Sequence, residues 1–365
     1  MTEKIRVVSM DESRQQQWND FVAATPHFGL MQSYEWGELK RKQGWETVRL
    51  AVEWERGITA VAQMLVKPAA RGLFSLAYIP RGPLVNWEDR ETTTALLDAL
   101  HLEARRHKAI CLRIEPPLLN GPGNHHLLQS CGFQPVEHTN QPRCTMIVHL
   151  PADMDELFMA LPSSTRYNIR KSQRKGVTID VATADDLPTF FRLMEITGER
   201  SDFAVRSPDF YEQEWQTFSP LGQSRLFIAR YEGMAIAAQM PFYFGEHAAT
   251  FHAGSLNEYR DLKAGYLMMW RAMCWAREQG CRTFDLWGIP AQVGELTARG
   301  EPIPKGKTGE LWGVYYYKQA FRGEVVYYVG TYDYVYSPLP YRAMEFATSR
   351  LGSLDKLAWV GDRLS

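Results

Sequence analysis

Residues 48–66 read VRLAVEWERGITAVAQMLV, and residues 225–243 read RLFIARYEGMAIAAQMPFY. Laid over each other without a gap, about 176 positions apart, Gly57 falls on Gly233 and Ala62-Gln63-Met64 falls on Ala238-Gln239-Met240. Each stretch is an apolar-rich strand, a turn centred on glycine and a second strand, which is a β-hairpin by pattern. The order of the later elements repeats as well. A strand is expected at 73–79 and again at 248–254, a helix at 92–107 and again at 264–279, and a short apolar strand at 109–114 and again at 282–287. Both halves then run through a helix into an aromatic residue, at 127–133 and at 314–321. Hairpins and helices recur in any α/β protein. The matched glycine, the shared Ala-Gln-Met and the common order point instead to an internal duplication.

The fold class expected from this order is α+β, with two copies of one domain in tandem around mixed sheets. A chain of 365 residues is long for one core and fits two. The first domain is expected over 1–150 and the second over 151–334, the boundary lying where LPADMDELFMALPSSTRYN starts a new helix after the strand CTMIVHL. Residues 335–365 are expected to pack back on the first domain.

Composition narrows the function classes. Hydrophobic residues make up 45% and charged residues 23%, ordinary for a folded globular chain. Forty-one basic against forty-two acidic residues leave no global field to draw in nucleic acid or a membrane, so any anion site must be a local patch. The cysteines (Cys111, Cys131, Cys144, Cys274 and Cys281) form no C-x-x-C pair and are odd in number. They fit reduced structural thiols better than a disulfide framework or a zinc set. The first residues, MTEKIRVVSMDESRQQQ, lack the apolar core of a signal peptide, and no run approaches the ~18 apolar residues of a membrane span. A cytoplasmic protein is expected, with at most a peripheral contact with the inner membrane surface.

The hairpin followed by a strand–helix–strand crossover resembles the acetyltransferase-like fold of the GNAT superfamily. Members that use acetyl-CoA open the crossover helix with a [Q/R]-x-x-G-x-[G/A] loop, whose backbone N–H groups cradle a pyrophosphate. The corresponding residues here are Arg260-Asp261-Leu262-Lys263-Ala264-Gly265, with lysine where the first glycine belongs. A bulky side chain there opposes close approach of a phosphate to the backbone. An acyl donor other than acetyl-CoA is therefore expected, and an N-acyltransferase using acyl-CoA or another carrier stands as the alternative.

Five further stretches follow in order. Gln32-Ser33-Tyr34-Glu35-Trp36-Gly37-Glu38-Leu39-Lys40 reads Q-x-x-x-W-x-x-x-K, and Tyr78-Ile79-Pro80-Arg81-Gly82-Pro83 reads Y-x-P-R-G-P. Tyr167 to Val177 is a basic helix ending in K-G-V, Phe284-Asp285-Leu286-Trp287-Gly288-Ile289 a D-x-x-G-I strand end, and Tyr317-Lys318-Gln319-Ala320-Phe321 an [F/Y]-K-x-x-F. Together, in this order, they resemble the FemABX family of peptidoglycan-bridge aminoacyltransferases. The resemblance covers nearly the whole chain. It implies two GNAT-like domains and transfer of an amino acid from aminoacyl-tRNA to the side-chain amine of a cell-wall precursor peptide, carried on UDP-MurNAc-pentapeptide or lipid II. Such ester aminolysis needs an amine held in line, a cation or donors for the oxyanion, and a proton path to the leaving group. No G-x-S-x-G elbow, H-E-x-x-H pair or Cys/His pair is present, so neither a covalent nucleophile nor a metal or other cofactor is expected.

The resemblance implies roles residue by residue. Lys318 would stabilise the oxyanion or the terminal phosphate of the tRNA, with Tyr317 beside it on the substrate; the plain reading is a lysine whose stem packs while its amine reaches water. Lys40 and Arg206 would bind the diphosphate of the acceptor, with Phe210 or Tyr211 as the aromatic partner; Lys40 also lies in a Lys-Arg-Lys run that fits a solvated face. Arg81 joins the substrate-binding set. Glu115 and Asp285, at equivalent strand ends, would accept a proton from the attacking ammonium or orient it, or else serve as an ion partner or cap. Arg166, Arg170 and Arg174 recur at i, i+4 and i+8, and with Lys305 and Lys307 they are candidates for contacts with tRNA phosphates. Some family members carry a long coiled-coil arm in the second domain. Pro188, Pro208 and Pro220 interrupt the stretch where it would lie, so a compact, armless form is expected. A non-catalytic tRNA- or envelope-binding module on the same scaffold is the reading from a different class.

Overall fold

The structure, a computed structural model, describes residues 5–54, 57–201, 205–309 and 311–351. The first half runs β1 (Arg6–Ser9), α1 (Gln15–Ala23), α2 (Tyr34–Lys42), β2 (Glu46–Trp54), β3 (Gly57–Ala69), β4 (Phe74–Ile79), α3 (Arg90–Arg106), β5 (Ala109–Ile114), α4 (Pro122–Ser130) and β6 (Gln134–Val136). The chain continues through β7 (Cys144–His149), α5 (Met154–Ala160), α6 (Ser163–Arg174), β8 (Thr178–Val181), α7 (Leu187–Ser201) and α8 (Pro208–Phe218). Next come β9 (Phe227–Tyr231), β10 (Met234–Phe244), β11 (His247–Ser255), α9 (Ala264–Glu278), β12 (Thr283–Gly288), α10 (Ala291–Ala298) and α11 (Trp312–Lys318). The last elements are β13 (Glu324–Tyr327), β14 (Thr331–Val335) and α12 (Pro338–Leu351).

Both repeated hairpins form. β2 and β3 pair antiparallel with Leu50 opposite Ala62 and Val48 opposite Met64. β9 and β10 pair the same way, with Ile228 opposite Ala238 and Phe227 opposite Gln239. Gly57 and Gly233 take φ values of 120° and 80°, the left-handed region in which a side chain would be strained, so the matched placement of the two glycines has a backbone cause. In each copy the hairpin is followed by a parallel pair joined through a crossover helix: β4 with β5 across α3, and β11 with β12 across α9. The matched alanines and methionines, Ala62, Met64, Ala238 and Met240, are fully buried. In the first unit Ala62 and Met64 share a core with Leu96, Leu100 and Ala104 of α3. That helix starts on an Asp89 cap, whose carboxylate accepts the Thr92 N–H at 3.1 Å.

The chain divides into two compact units, one made of residues up to Arg143 together with those from Tyr327, the other of Cys144–Val326. Each holds a seven-stranded sheet. The strand order is β1-β2-β3-β4-β5-β14-β6 in the first and β13-β7-β12-β11-β10-β9-β8 in the second. The two orders are equivalent strand for strand, and they account for where the division falls. β7, which by sequence closes the first repeat, pairs antiparallel with β12 of the second sheet. β14, which by sequence closes the second repeat, pairs antiparallel with β5 of the first. The expected boundaries at 150 and 334 are thereby corrected to 143/144 and 326/327. α12 falls in the first unit, where Arg113 reaches Asp333 at 2.6 Å and Glu345 at 2.9 Å. The remainder of the expected C-terminal segment, 352–365, lies outside the described residues.

Among the described residues no coiled-coil arm is present. Pro188 sits in the first turn of the 15-residue α7, Pro208 opens the 11-residue α8, and Pro220 follows its end. No helix among the described residues is long and apolar enough to cross a membrane.

Candidate functional site

The second unit gathers the chemistry. Along β12 the register against β7 shifts between Asp285 and Gly288, and Trp287 within that bulge takes φ 67°, a conformation a non-glycine side chain rarely adopts. Asp285 holds the bulge: its Oδ1 accepts the Trp287 N–H at 2.7 Å and the Thr145 hydroxyl. The Gly288 carbonyl at the end of the bulge in turn accepts the Lys318 ammonium at 2.7 Å. Lys318 is only 8% exposed, so it is no surface lysine with its amine in water. Burial lowers its pKa from 10.5 to about 8, and the charge on Asp285 resists that shift. The site therefore holds a buried cation beside a carbonyl dipole and a carboxylate that already serves the backbone.

One residue earlier on α11, the Tyr317 hydroxyl donates to the Gly265 carbonyl at 2.7 Å, fixing this helix to the start of α9. Burial pushes the Tyr317 phenol well above its usual range. Tyr317 also lines a cavity of about 440 Å³ around the N-terminus of α9, together with Tyr266, Gln239, Arg200, Arg260 and Lys263. Lys263 stands at the N-cap in the left-handed conformation, φ 60° and ψ 27°, and no side chain caps the helix. The lysine thus adopts the backbone geometry that its glycine-like position requires. The first N–H groups of α9, its dipole and three basic side chains make this cavity suited to an anion. Gln239 is the counterpart of Gln63, which in the first unit is tied to Arg49 at 2.8 Å and to the Ser33 carbonyl at 2.8 Å. The duplicated glutamine is structural in one copy and lines a cavity in the other.

The remaining candidates separate into distinct settings. Tyr211 is buried, hydrogen-bonded to the backbone of Arg206, with its phenol pushed up to about 12 by burial. Phe210 is the ring under the Arg206 guanidinium, 5.3 Å from its centroid. On α6, Arg166 ties down the end of α5 through the Met159 and Leu161 carbonyls, the latter at 2.9 Å. Arg170 and Arg174 lie over the rings of Phe158 and Tyr167 at 5.1 and 5.7 Å. Lys307 bonds the Gln292 side chain and stands 4.9 Å over Trp312, while Lys305 is exposed in the same loop.

In the first unit Lys40 stands in the last turn of α2, where cations suit the helix dipole. Its ammonium is 4.9 Å over Trp36 and donates to Gln43 at 2.8 Å. Arg81 and Glu115 secure one loop from two sides. Arg81 donates to the Pro142 carbonyl at 2.8 Å and covers Tyr328. The buried Glu115 accepts Asn140 N at 2.9 Å, Gln141 N at 3.1 Å, Thr331 Oγ1 at 2.7 Å and the Tyr78 hydroxyl. Arg113, two residues earlier in the chain, pairs with Asp333 and Glu345 and not with Glu115. What the sequence does not reveal is the cavity: Arg200 carries no signal of it, and Lys263 reads as an obstruction.

Comparison with known proteins places these features in a lineage. The model of the FemAB family matches residues 14–231 and 221–349. A curated relative, the lipid II:glycine glycyltransferase of Staphylococcus aureus strain MRSA252, is 24% identical over 92% of this chain and 95% of its own length. The protein of the same name from strain USA300 matches equally. Among solved structures, the crystal structure of FemX aligns with a TM-score of 0.81 at 22% identity, covering 93% of this chain and all of that one (100%). A tandem GNAT protein from the clavulanic acid biosynthesis pathway aligns at 0.54 with 12% identity, covering 90% of this chain and 98% of that one. These likenesses bear out the α+β fold of two tandem GNAT-like domains.

Proposed function

This chain belongs to the FemAB family, and on that premise we propose that it transfers an amino acid from aminoacyl-tRNA to the side-chain amine of a peptidoglycan precursor by direct ester aminolysis. The observation that carries the reading is the buried Lys318 ammonium at the Gly288 carbonyl. A cation in a dry site acts strongly on charge that develops nearby, because little solvent screens it. With its pKa near 8, Lys318 is mostly charged at neutral pH. In the reaction the acceptor amine attacks the ester carbonyl, negative charge gathers on the carbonyl oxygen, and the ribose oxygen leaves with a proton. Lys318 stabilises that oxygen. Asp285 acts as a positioning residue that keeps the β12 bulge and supports the lysine charge.

The basic cavity at the start of α9 fits the terminal phosphate and base of an acceptor stem, the phosphate at the helix N-terminus and the base against Tyr266 or Tyr317. Arg170, Arg174, Lys305 and Lys307 offer further cations for the tRNA backbone. Within the second unit Arg206 over Phe210 sets a cation on an aromatic face, and within the first Lys40 over Trp36 does the same; each pairing by itself suits a phosphate of a nucleotide- or lipid-linked acceptor. The names of the Staphylococcus aureus relatives favour lipid II over the soluble precursor. The test supplies a pool of charged tRNAs with UDP-MurNAc-pentapeptide or lipid II and follows labelled amino acid into the precursor. Transfer to neither acceptor overturns the reading. The left-handed Lys263 keeps one alternative open, an acyl-CoA donor with its pyrophosphate at α9, and direct titration with coenzyme A tests it.

A further inference from the structure

At one end of the first unit's sheet β3 ends, β4 and β5 begin and β14 ends, and this end carries an unusual surface. The turn from β3 to β4 places Arg71 and Gly72 in the left-handed region, φ 57° and 80°, and sends Leu73 outward. Leu73 is 67% exposed and Phe74 39% exposed. Arg105 from the last turn of α3, where its guanidinium lies 5.2 Å over the Tyr336 ring, Lys108 from the turn after it and Ser337 line one shallow depression with these two residues. The grouping is held by the backbone: Ser75 N donates to the Lys108 carbonyl at 3.1 Å, and Tyr336 N to the Ile110 carbonyl at 2.9 Å. Two residues beyond Ser337, in the first turn of α12, Leu339 is 78% exposed. Among the described residues no ion pair engages Arg71, Arg105 or Lys108, whereas the nearby Glu103 is paired with Arg106 at 2.6 Å.

We propose that this end of the first unit docks on the surface of an anionic lipid bilayer through the exposed Leu73 and Phe74, Leu339 two residues past Ser337, and the cations Arg71, Arg105 and Lys108. Exposed large apolar side chains grouped with cations suit the two layers of a membrane interface: the chains would enter the acyl boundary and the cations meet lipid phosphates. A second copy of the chain is a poor occupant. A two-fold contact through this patch would set the same uncompensated cations against each other. The inference is independent of which acceptor the transferase uses.

The test floats the full chain with vesicles of phosphatidylcholine alone or mixed with phosphatidylglycerol. Binding is expected only to the anionic vesicles and to weaken as salt rises. Arg105→Gln with Lys108→Gln is expected to weaken partitioning roughly twenty-fivefold, at about fivefold per cation. Leu73→Ser with Leu339→Ser, the two most exposed of the three, is expected to release the protein from the vesicles, with unfolding temperature and amino-acid transfer to a soluble precursor unchanged. Should the apolar pair fail to fold, the charge pair alone decides. No binding of wild type to anionic vesicles, or binding that the folded variants retain in full, overturns the proposal. Vesicle binding unchanged with a dimer lost in the variants assigns the patch to self-association and likewise overturns it.

Discussion

The Lys318 ammonium lies 2.7 Å from the Gly288 carbonyl oxygen, at the end of a β-bulge that Asp285 holds in place. A neutral carbonyl is a weak partner for a full charge, so this cation is kept at the cost of stability, as expected of a group that acts on charge appearing elsewhere.

That cost is measurable. The folded-state pKa of Lys318 is about 8 against an ordinary 10.5, so between those pH values the unfolded chain binds more protons and stability rises with pH. Lys318→Met removes the buried charge. At pH 7 it is expected to raise the unfolding free energy by up to about 3 kcal/mol, less the lost hydrogen bond. Above pH 10.5 that advantage disappears. Urea titrations at pH 7 and at high pH check the difference; an equal effect at both contradicts it.

The same pKa predicts the rate profile. Transfer that depends on the charged lysine declines above about pH 8. Asp285 raises the lysine pKa, so Asp285→Asn moves that decline to lower pH, while Lys318→Arg, charged throughout, abolishes it in whatever activity remains. A decline that stays near pH 8 in both variants assigns it to another group.

Glu115 is expected to behave as a structural tie. Its carboxylate already accepts two backbone N–H groups and two hydroxyls. Glu115→Gln should cost about 1–3 kcal/mol of stability and leave kcat within a few-fold of wild type at a temperature where both are folded. A hundredfold fall in kcat with an altered pH profile restores it as a proton acceptor.

Arg113 and Asp333 form a fully buried pair, and Arg113 also reaches Glu345 on α12. Arg113→Met strands the carboxylate, with an expected loss of about 3–5 kcal/mol. Adding Asp333→Asn should recover much of it. A double variant as unstable as the sum of the two singles argues that the residues are uncoupled.

Much of the fold was legible because it rests on local signals. The glycine-centred hairpins, α3 and α9 with their apolar faces, and the prolines that bound α7 and α8 each read from their own residues. The strand exchange did not. Cys144–His149 and Thr331–Val335 are short apolar strands that suit either sheet, and only pairing with β12 and β5 decides which one takes them. At the site, the Tyr317–Phe321 motif marks Lys318, and the shared Gln63 and Gln239 mark equivalent positions. The cavity was hidden because it depends on Lys263 taking a left-handed backbone, which lysine seldom does, and on Arg200 arriving from a distant helix. Tyr211 and Phe210 could not be told apart by sequence; only the turn of α8 puts one in the core and the other beneath Arg206.

The central claim is that Lys318 meets charge that appears during reaction. The most direct measurement is single-turnover transfer from a pool of charged tRNAs to lipid II and to UDP-MurNAc-pentapeptide, comparing wild type with Lys318→Ala and Lys318→Met at saturating donor. Loss of about 100- to 1,000-fold in the transfer rate, with folding intact and donor binding little changed, is the predicted result. Transfer at the wild-type rate in the folded variants would contradict it and leave Lys318 a buried structural cation.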